Sequence, residues 1–279
     1  MTQPTLQIQR ISDLAFGMAI SRAIETERTD ANFRDPYARM LGGQCGEAFL
    51  EGMGGSSKGA GHMLAVRTTV IDELLLEVIE LAEIDTVLNL AAGLDTRPYR
   101  MSLPKSLRWI EVDLPQVIEY KTKQLAEVES CCALESISLD LTEQKARKGL
   151  FDRINRESSK VLIITEGLLA YLSETEVGEL ATDLYQCDRF TGWITDLASP
   201  LLLNMTMQTW GEQFTAANAA LKFAPETGAN FFRSYGWEPQ TFRLFLEEAR
   251  RLNRDVPFGW LLRKVPQLLN DGVALLGRS

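Results

Sequence analysis

Thr86-Val87-Leu88-Asn89-Leu90-Ala91-Ala92-Gly93-Leu94-Asp95-Thr96-Arg97 decides the fold. Five residues long enough for a short strand, four of them apolar or β-branched, run into a turn of small residues. The same pattern recurs downstream. Residues 107–112 read as a second strand closed by Asp113 and Pro115, 136–141 as a weaker third, 161–165 as a fourth and 193–197 as a fifth. Helical stretches at 116–128, 142–155 and 175–188 separate them. Short apolar strands alternating with helices predict an α/β fold, a parallel sheet with helices on both faces. Past Pro200 the alternation stops: 201–222 predicts a helix, 237–241 a strand, 242–251 a helix and 272–276 a terminal strand at the sheet edge. Upstream, Ile11, Leu14, Ala15, Met18 and Ala19 recur at helical spacing, as do Tyr37, Ala38, Met40 and Leu41, and Pro36 suits a first helical position. The glycine-rich residues 52–61 read as a mobile loop before a long helix over 62–83; Lys58 is followed by Gly59, so the Gly-Lys-Ser/Thr order of a phosphate loop is missing.

The chain has 279 residues, 45% hydrophobic and 24% charged, with a net charge of −9. This composition excludes a disordered chain. An acidic chain without a basic block repels a phosphate backbone, so no nucleic-acid partner is expected. No stretch is apolar for the roughly 18 residues of a span, and no signal peptide precedes Asp13, so no membrane partner is expected either. The four cysteines form no C-x-x-C pair, which predicts a reduced, cytoplasmic chain. His62 is the only histidine, which excludes a histidine-rich zinc site; no metal is expected. Neither G-x-S-x-G nor G-x-G-x-x-G occurs.

In an open parallel sheet, ligands bind beyond the carboxyl ends of the strands. Ala91-Ala92-Gly93 reads either as a ligand loop or as a plain tight turn. Asp113 lies twenty residues beyond Gly93, an offset that suits two ribose hydroxyls; the alternative is a helix cap. Glu111 points the same way as Asp113 in a regular strand. Asp140 either meets an adenine amino group or caps the next helix. Glu166, directly after a buried strand, is costly to bury and is expected at the cleft. Arg67, on an apolar-striped helix, either reaches solvent or offers its fork to a carboxylate.

Taken together, these segments resemble the leucine carboxyl methyltransferase-like family of S-adenosylmethionine-dependent O-methyltransferases, including bacterial polyketide-tailoring members. The resemblance rests on Ser21 to Thr26, Asp35-Pro36-Tyr37-Ala38, Arg67 to Asp72, Asn89 to Arg100, Glu111 to Pro115, Asp140-Leu141, Glu166 to Leu172 and Gly236-Trp237, in one order over residues 12–276. It implies a Rossmann-like class I methyltransferase fold. The sheet would be seven-stranded and mostly parallel, with a C-terminal antiparallel strand and an N-terminal helical cap (1–61). The methyltransferase domain would be 62–279, with a helical lid over 201–235. It also implies S-adenosyl-L-methionine as cofactor. Arg67 and Arg22 would hold its carboxylate, Ala91, Ala92 and Gly93 would pass under its methionine part, and Asp113 would bind its ribose. Asp140 and Leu141 would frame its adenine, and Glu166 would face its amino group. Many members carry Gly where this chain has Ala91.

Methyl transfer from a sulfonium is an in-line displacement that needs an acceptor about 3 Å from the methyl with water excluded. A carboxylate, with a pKa near 4, needs no base at neutral pH; an aliphatic hydroxyl does. The expected partner is therefore a small molecule bearing a carboxylate or an acidic phenol, with no catalytic base assigned. Arg97 or Arg100 is a candidate cation to orient it, and helix-surface arginine is the alternative. Tyr171, Trp210 and Phe214 are the candidate substrate residues, within a cluster of Met205, Met207, Phe223, Phe231 and Phe232 that reads either as core or as pocket. A protein C-terminal carboxylate as acceptor, a nicotinamide-dependent oxidoreductase and a non-catalytic member are the competing readings. The oligomeric state stays open.

Overall fold

A computed structural model describes residues 11–52, 57–216 and 219–279. Among these, seven strands form one sheet in the order β3-β2-β1-β4-β5-β7-β6. They are β1 (Thr86–Leu90), β2 (Arg108–Asp113), β3 (Ala133–Ser138), β4 (Val161–Thr165), β5 (Phe190–Leu197), β6 (Trp237–Leu244) and β7 (Gly272–Arg278). β1 pairs in parallel with β2 and β4, and the parallel run extends to β3 and β5. β7 is antiparallel to both β5 and β6, so the C-terminal antiparallel strand expected from the sequence forms, but one place in from the edge, which β6 occupies. This is the predicted α/β class, with strand order reversing between β1 and β4.

The N-terminal helices are α1 (Ile11–Thr26), α2 (Ala38–Gly52) and α3 (Ser57–Ala82); α4 (Arg97–Arg100), α5 (Pro115–Gln124), α6 (Gln144–Glu157) and α7 (Glu174–Tyr185) punctuate the parallel strands. α8 (Pro200–Ala216), α9 (Phe245–Arg251) and α10 (Gly259–Leu262) follow β5. Burial of all five residues in both β1 and β4 shows why these strands read as unbroken apolar runs: both faces are covered. On one face Val66, Val70, Ile71 and Leu74 of α3 pack on Val87, Trp109, Leu162 and Ile194. On the other, Leu150 and Phe151 of α6 and Leu180 and Leu184 of α7 pack on Leu88, Ile110 and Ile163.

Several boundaries differ from the sequence reading. β3 begins at Ala133 and stops at Ser138, which leaves Asp140 and Leu141 outside the strand. It lies at the sheet edge with Ala133, Ser136 and Ser138 exposed, so its apolar alternation is weak. The long helix starts at Ser57, inside the glycine-rich stretch and ahead of the expected 61/62 boundary; residues 53–56 of the expected loop lie outside the described residues. Pro36 sits in a turn before α2, closed by the Asp35 carboxylate accepting from Tyr37 N at 3.2 Å. α8 ends at Ala216, short of the expected 222, because Lys222 N donates to Ala170 O at 2.7 Å and draws that segment toward the β4 tip.

Candidate functional site

The parallel strands end together, so side chains just beyond them converge. After β1, Ala91 and Gly93 both take left-handed backbone, with φ of 54° and 51°. The Gly93 N–H donates to Asp113 Oδ2 at 2.6 Å, and Leu114 N–H donates to Oδ1 at 2.7 Å. Asp113 is thus a brace between the β1 and β2 tips, and α5 begins without a side-chain cap from it. Burial pushes its pKa up, opposed by those two N–H groups. A carboxylate has about four lone-pair positions, so two remain for a ligand. Glu111, expected beside it, is instead buried against Lys121 and Ser136, the latter at 2.7 Å.

Past β4, Glu166 accepts from Arg67 Nε at 3.0 Å and Arg97 Nη1 at 2.7 Å. Arg67 reaches from α3 and gives its Nη1 to Asp196 of β5 at 3.0 Å. Asp196 also accepts from Gly167 N at 2.7 Å. Arg97, only 2% exposed, bonds Asp72 at 2.6 Å and Asp95 at 2.8 Å, while its Nη2 has no partner among the described residues. Arg100 pairs with Asp72 at 2.8 Å. Burial alone would raise the Glu166 and Asp95 pKa values, yet the charge of Arg97 in both cases, with Arg67 beside Glu166, leaves each below the ordinary value. The fork of Arg67 is therefore filled by two carboxylates of the protein, and Arg97 and Arg100 belong to this network rather than standing ready for an acceptor. Arg22 bonds Asp35 at 2.8 Å and Leu94 O at 2.6 Å, tying α1 to the loop after β1.

A cavity of about 740 Å³ opens along these tips. Arg22, Arg67, Ala91, Ala92, Gly93, Asp113 and Glu166 line its polar end, together with Leu114 and Val117. Apolar side chains line the rest: Trp210, Phe214, Met205 and Phe223, with Tyr171 beside Arg67. Burial pushes the Tyr171 phenol up to about 12, with the nearby Arg67 opposing. Phe232, from the same sequence cluster, is core instead, with its ring 5.0 Å from Trp193. Asp140 and Leu141 are not among the lining residues. Asp140 is exposed and closes a local turn by accepting from Thr142 N at 2.9 Å; it does not cap α6, whose first flanking residue is Glu143 without a side-chain cap, and Leu141 O accepts from Arg147 at 2.9 Å. No group of three or more metal-ligating side chains occurs among the described residues.

Sequence reasoning missed Asp196 and the far wall. Asp196 follows buried Ile194 and Thr195 near a strand end, the same signal that marked Glu166. The far wall comes from 245–271, including Phe245, Val256, Leu262 and Asp271. Asp271 is 5% exposed and accepts from the N–H and, at 3.2 Å, the hydroxyl of Ser199. Burial pushes its pKa up to about 6, with Ser199 opposing.

A polar crevice at the switch point of a parallel sheet, joined to an apolar chamber, suits a nucleoside-bearing ligand and a second, greasier one. Two curated relatives carry names for S-adenosyl-L-methionine-dependent methyltransferases. One, from Frankia alni, is 29% identical over 269 residues, 87% of this chain and 89% of the relative. The other, from Parafrankia sp., is 35% identical over 179 residues, 61% of this chain and 57% of the relative. The chain thus spans a little over half the length of that second relative. Among solved structures, a Thermobifida fusca protein shares the fold with a TM-score of 0.58 at 16% identity, covering 98% of this chain and 96% of its own. A DUF574-family protein from Streptomyces avermitilis also has a TM-score of 0.58, at 10% identity, covering 94% and 96%. The family model described as leucine carboxyl methyltransferase matches residues 15–184, well over half of the sequence. The chain belongs to the leucine carboxyl methyltransferase family.

Proposed function

We propose that this S-adenosyl-L-methionine-dependent methyltransferase methylates an oxygen, a carboxylate or an acidic phenol, on a small apolar molecule. The observation that carries the reading is the change of character along one cavity, from charged strand tips to the apolar walls around Trp210 and Phe214. When bound, the cofactor supplies an electrophilic methyl group on sulfur. At the polar end, Asp113 would accept from ribose hydroxyls, and Leu114 and Val117 would flank the adenosyl group in place of Asp140 and Leu141. Glu166 and Asp196 are acceptors for an ammonium, and Arg67 between them offers the adjacent positive charge for a carboxylate. At the apolar end the chain's contribution is to hold the acceptor and exclude water. Residues 201–235 act as a lid in this reading, with α8 its helical part. An acceptor already ionised at neutral pH asks for no base, which agrees with His62 lying outside the cavity lining.

Titration calorimetry with S-adenosylhomocysteine tests the cofactor half: saturable binding is expected, with no response to NAD. Asp113→Ala is expected to weaken that binding by about 1–3 kcal/mol, the cost of leaving hydrogen-bonding groups unpaired; unchanged affinity removes Asp113 from the site. Methyl-labelled cofactor offered with apolar carboxylic acids, phenols and peptides tests the acceptor half. Label on peptide C-termini alone would overturn the small-molecule assignment.

A further inference from the structure

The segment after α9 presents its largest side chains outward. Phe258 is 72% exposed and Trp260 62%, and Leu261 beside them is also exposed. Phe258 does this from left-handed backbone, φ 61°, a conformation that a bulky residue adopts at a cost. The base of the turn is firmly built. Asp255 and Arg263 form a two-bonded ion pair, both contacts 2.9 Å, and Arg263 also bonds Leu246 O of α9 at 3.1 Å. Gly259 leaves room for the Asp255 carboxylate, which any Cβ there would strike. Val256, Pro257 and Leu262 of the same turn line the apolar chamber. One short segment therefore has an apolar side toward the cavity and aromatic tips toward solvent.

The stretch of sequence around the turn is basic within an acidic chain. Residues 250–264 hold five basic side chains and one acidic, in a chain of net charge −9. Arg251, Arg254 and Arg263 are engaged by carboxylates. Arg250 and Lys264 have no ion-pair partner among the described residues, and Lys264 Nζ stands 5.5 Å from the Trp260 ring centre. Exposed aromatic rings beside cations match the headgroup zone of a bilayer: rings settle between water and acyl chains, and basic groups meet anionic lipid.

We propose that the turn 257–262 docks this chain on an anionic lipid surface, with Phe258, Trp260 and Leu261 entering the headgroup layer. Such docking places the chamber wall against a reservoir of apolar molecules. It departs from the sequence expectation of no membrane partner, which rested on the absence of a spanning segment; surface docking requires none. A second copy fits this patch less well, because two-fold pairing of one patch with itself brings the same cations together.

The test is flotation of the full chain with vesicles of phosphatidylcholine and phosphatidylglycerol in equal parts, with brominated lipid as a fluorescence quencher. Trp109, Trp193 and Trp237 are fully buried and Trp210 faces the cavity, so quenching reports Trp260. The chain is expected to float and to be quenched. Phe258→Ser with Trp260→Ser is expected to lose binding by about tenfold or more while keeping its melting temperature and its affinity for S-adenosylhomocysteine. Lys264→Glu is expected to weaken binding to the mixed vesicles and not to pure phosphatidylcholine. Failure of the wild-type chain to float overturns the docking; if S-adenosylhomocysteine still binds, the methyltransfer reading stands apart from it. Flotation of the double variant equal to wild type also overturns it, as does a wild-type dimer in sedimentation that the double variant breaks.

Discussion

The two ends of the cavity are built on opposite principles. At the strand tips, Arg67, Arg97 and Arg100 interlock with Asp72, Asp95, Glu166 and Asp196, so that β1, β4, β5 and α3 are cross-linked by charge. At the chamber end the lining is largely apolar, and the buried carboxylate there, Asp271, has among the described residues only the neutral groups of Ser199 as partners. Burial acts on the carboxylates of both ends. What differs is the company: guanidinium groups outweigh burial at Glu166 and Asp95, and a serine does not at Asp271. The tips are thus geometry held by charge, and the chamber is a surface shaped for apolar contact with one strained acid at its rim.

The largest expected effect breaks the charged end. Arg97→Ala strands Asp72, Asp95 and Glu166 around a vacated buried position. Removing one member of a buried ion-pair network costs about 3–5 kcal/mol, measurable as a lower midpoint in urea at neutral pH. The depressed pKa values of Glu166 and Asp95 mean that their contribution is present above the unfolded-state values and is lost as pH falls through the folded ones. The deficit of the variant should therefore narrow in acid, where the wild type loses the same pairs. A deficit below about 1 kcal/mol, the range of exposed ion pairs, would show that the network is ornamental.

Asp271→Asn sharpens the contrast from the other side. A carboxyl raised from 3.8 to about 6 in the folded state binds its proton more tightly there than when unfolded. Stability then falls as pH rises from about 4 to 6 and stays lowered above, by up to about 3 kcal/mol. Asparagine keeps an acceptor for Ser199 N and removes the charge, so the variant should be about 2 kcal/mol more stable than wild type at pH 7 and nearly level with it at pH 4. Glu166 and Asp95 on one side and Asp271 on the other thus respond to acid in opposite senses. Parallel unfolding curves for wild type and variant across that range would remove the distinction between them.

The sequence made the tip end legible and the chamber end largely illegible, for a physical reason. β1 and β4 are short runs covered on both faces, so burial writes itself into consecutive apolar residues. Asp113 and Glu166 stood out as charges at the ends of such runs. Asp140 carried the same mark yet does not line the cavity: β3 lies at the sheet edge and its end came earlier than periodicity placed it. The residues of the far wall, such as Val256 and Leu262, are ordinary apolar residues whose role depends on how 245–271 folds back over the sheet edge. That return is fixed by long-range contacts such as Asp271 to Ser199 and Arg263 to Leu246, which leave no periodic trace. Ion pairing was half visible: Arg67 was expected to offer its fork to a carboxylate, and the carboxylates that fill it belong to the protein.

Ala91 gives the smallest expected effect and the finest test of the tip end. The backbone at Ala91 is left-handed, with φ 54°, a conformation that favours glycine. An alanine in that conformation carries steric strain between Cβ and the following carbonyl, about 1–2 kcal/mol. Ala91→Gly releases that strain but loosens the unfolded chain, which returns roughly 0.4–1 kcal/mol. The net gain is about 1 kcal/mol, a rise in melting temperature of about 2–4 °C for a domain of this size. Affinity for S-adenosylhomocysteine should change by less than about twofold, well under 1 kcal/mol, because Gly93 N and Asp113 are already in place. A large gain in affinity with no gain in stability would mean that the Ala91 methyl obstructs the ligand directly, and that the tip end is tuned by side-chain volume as the chamber is.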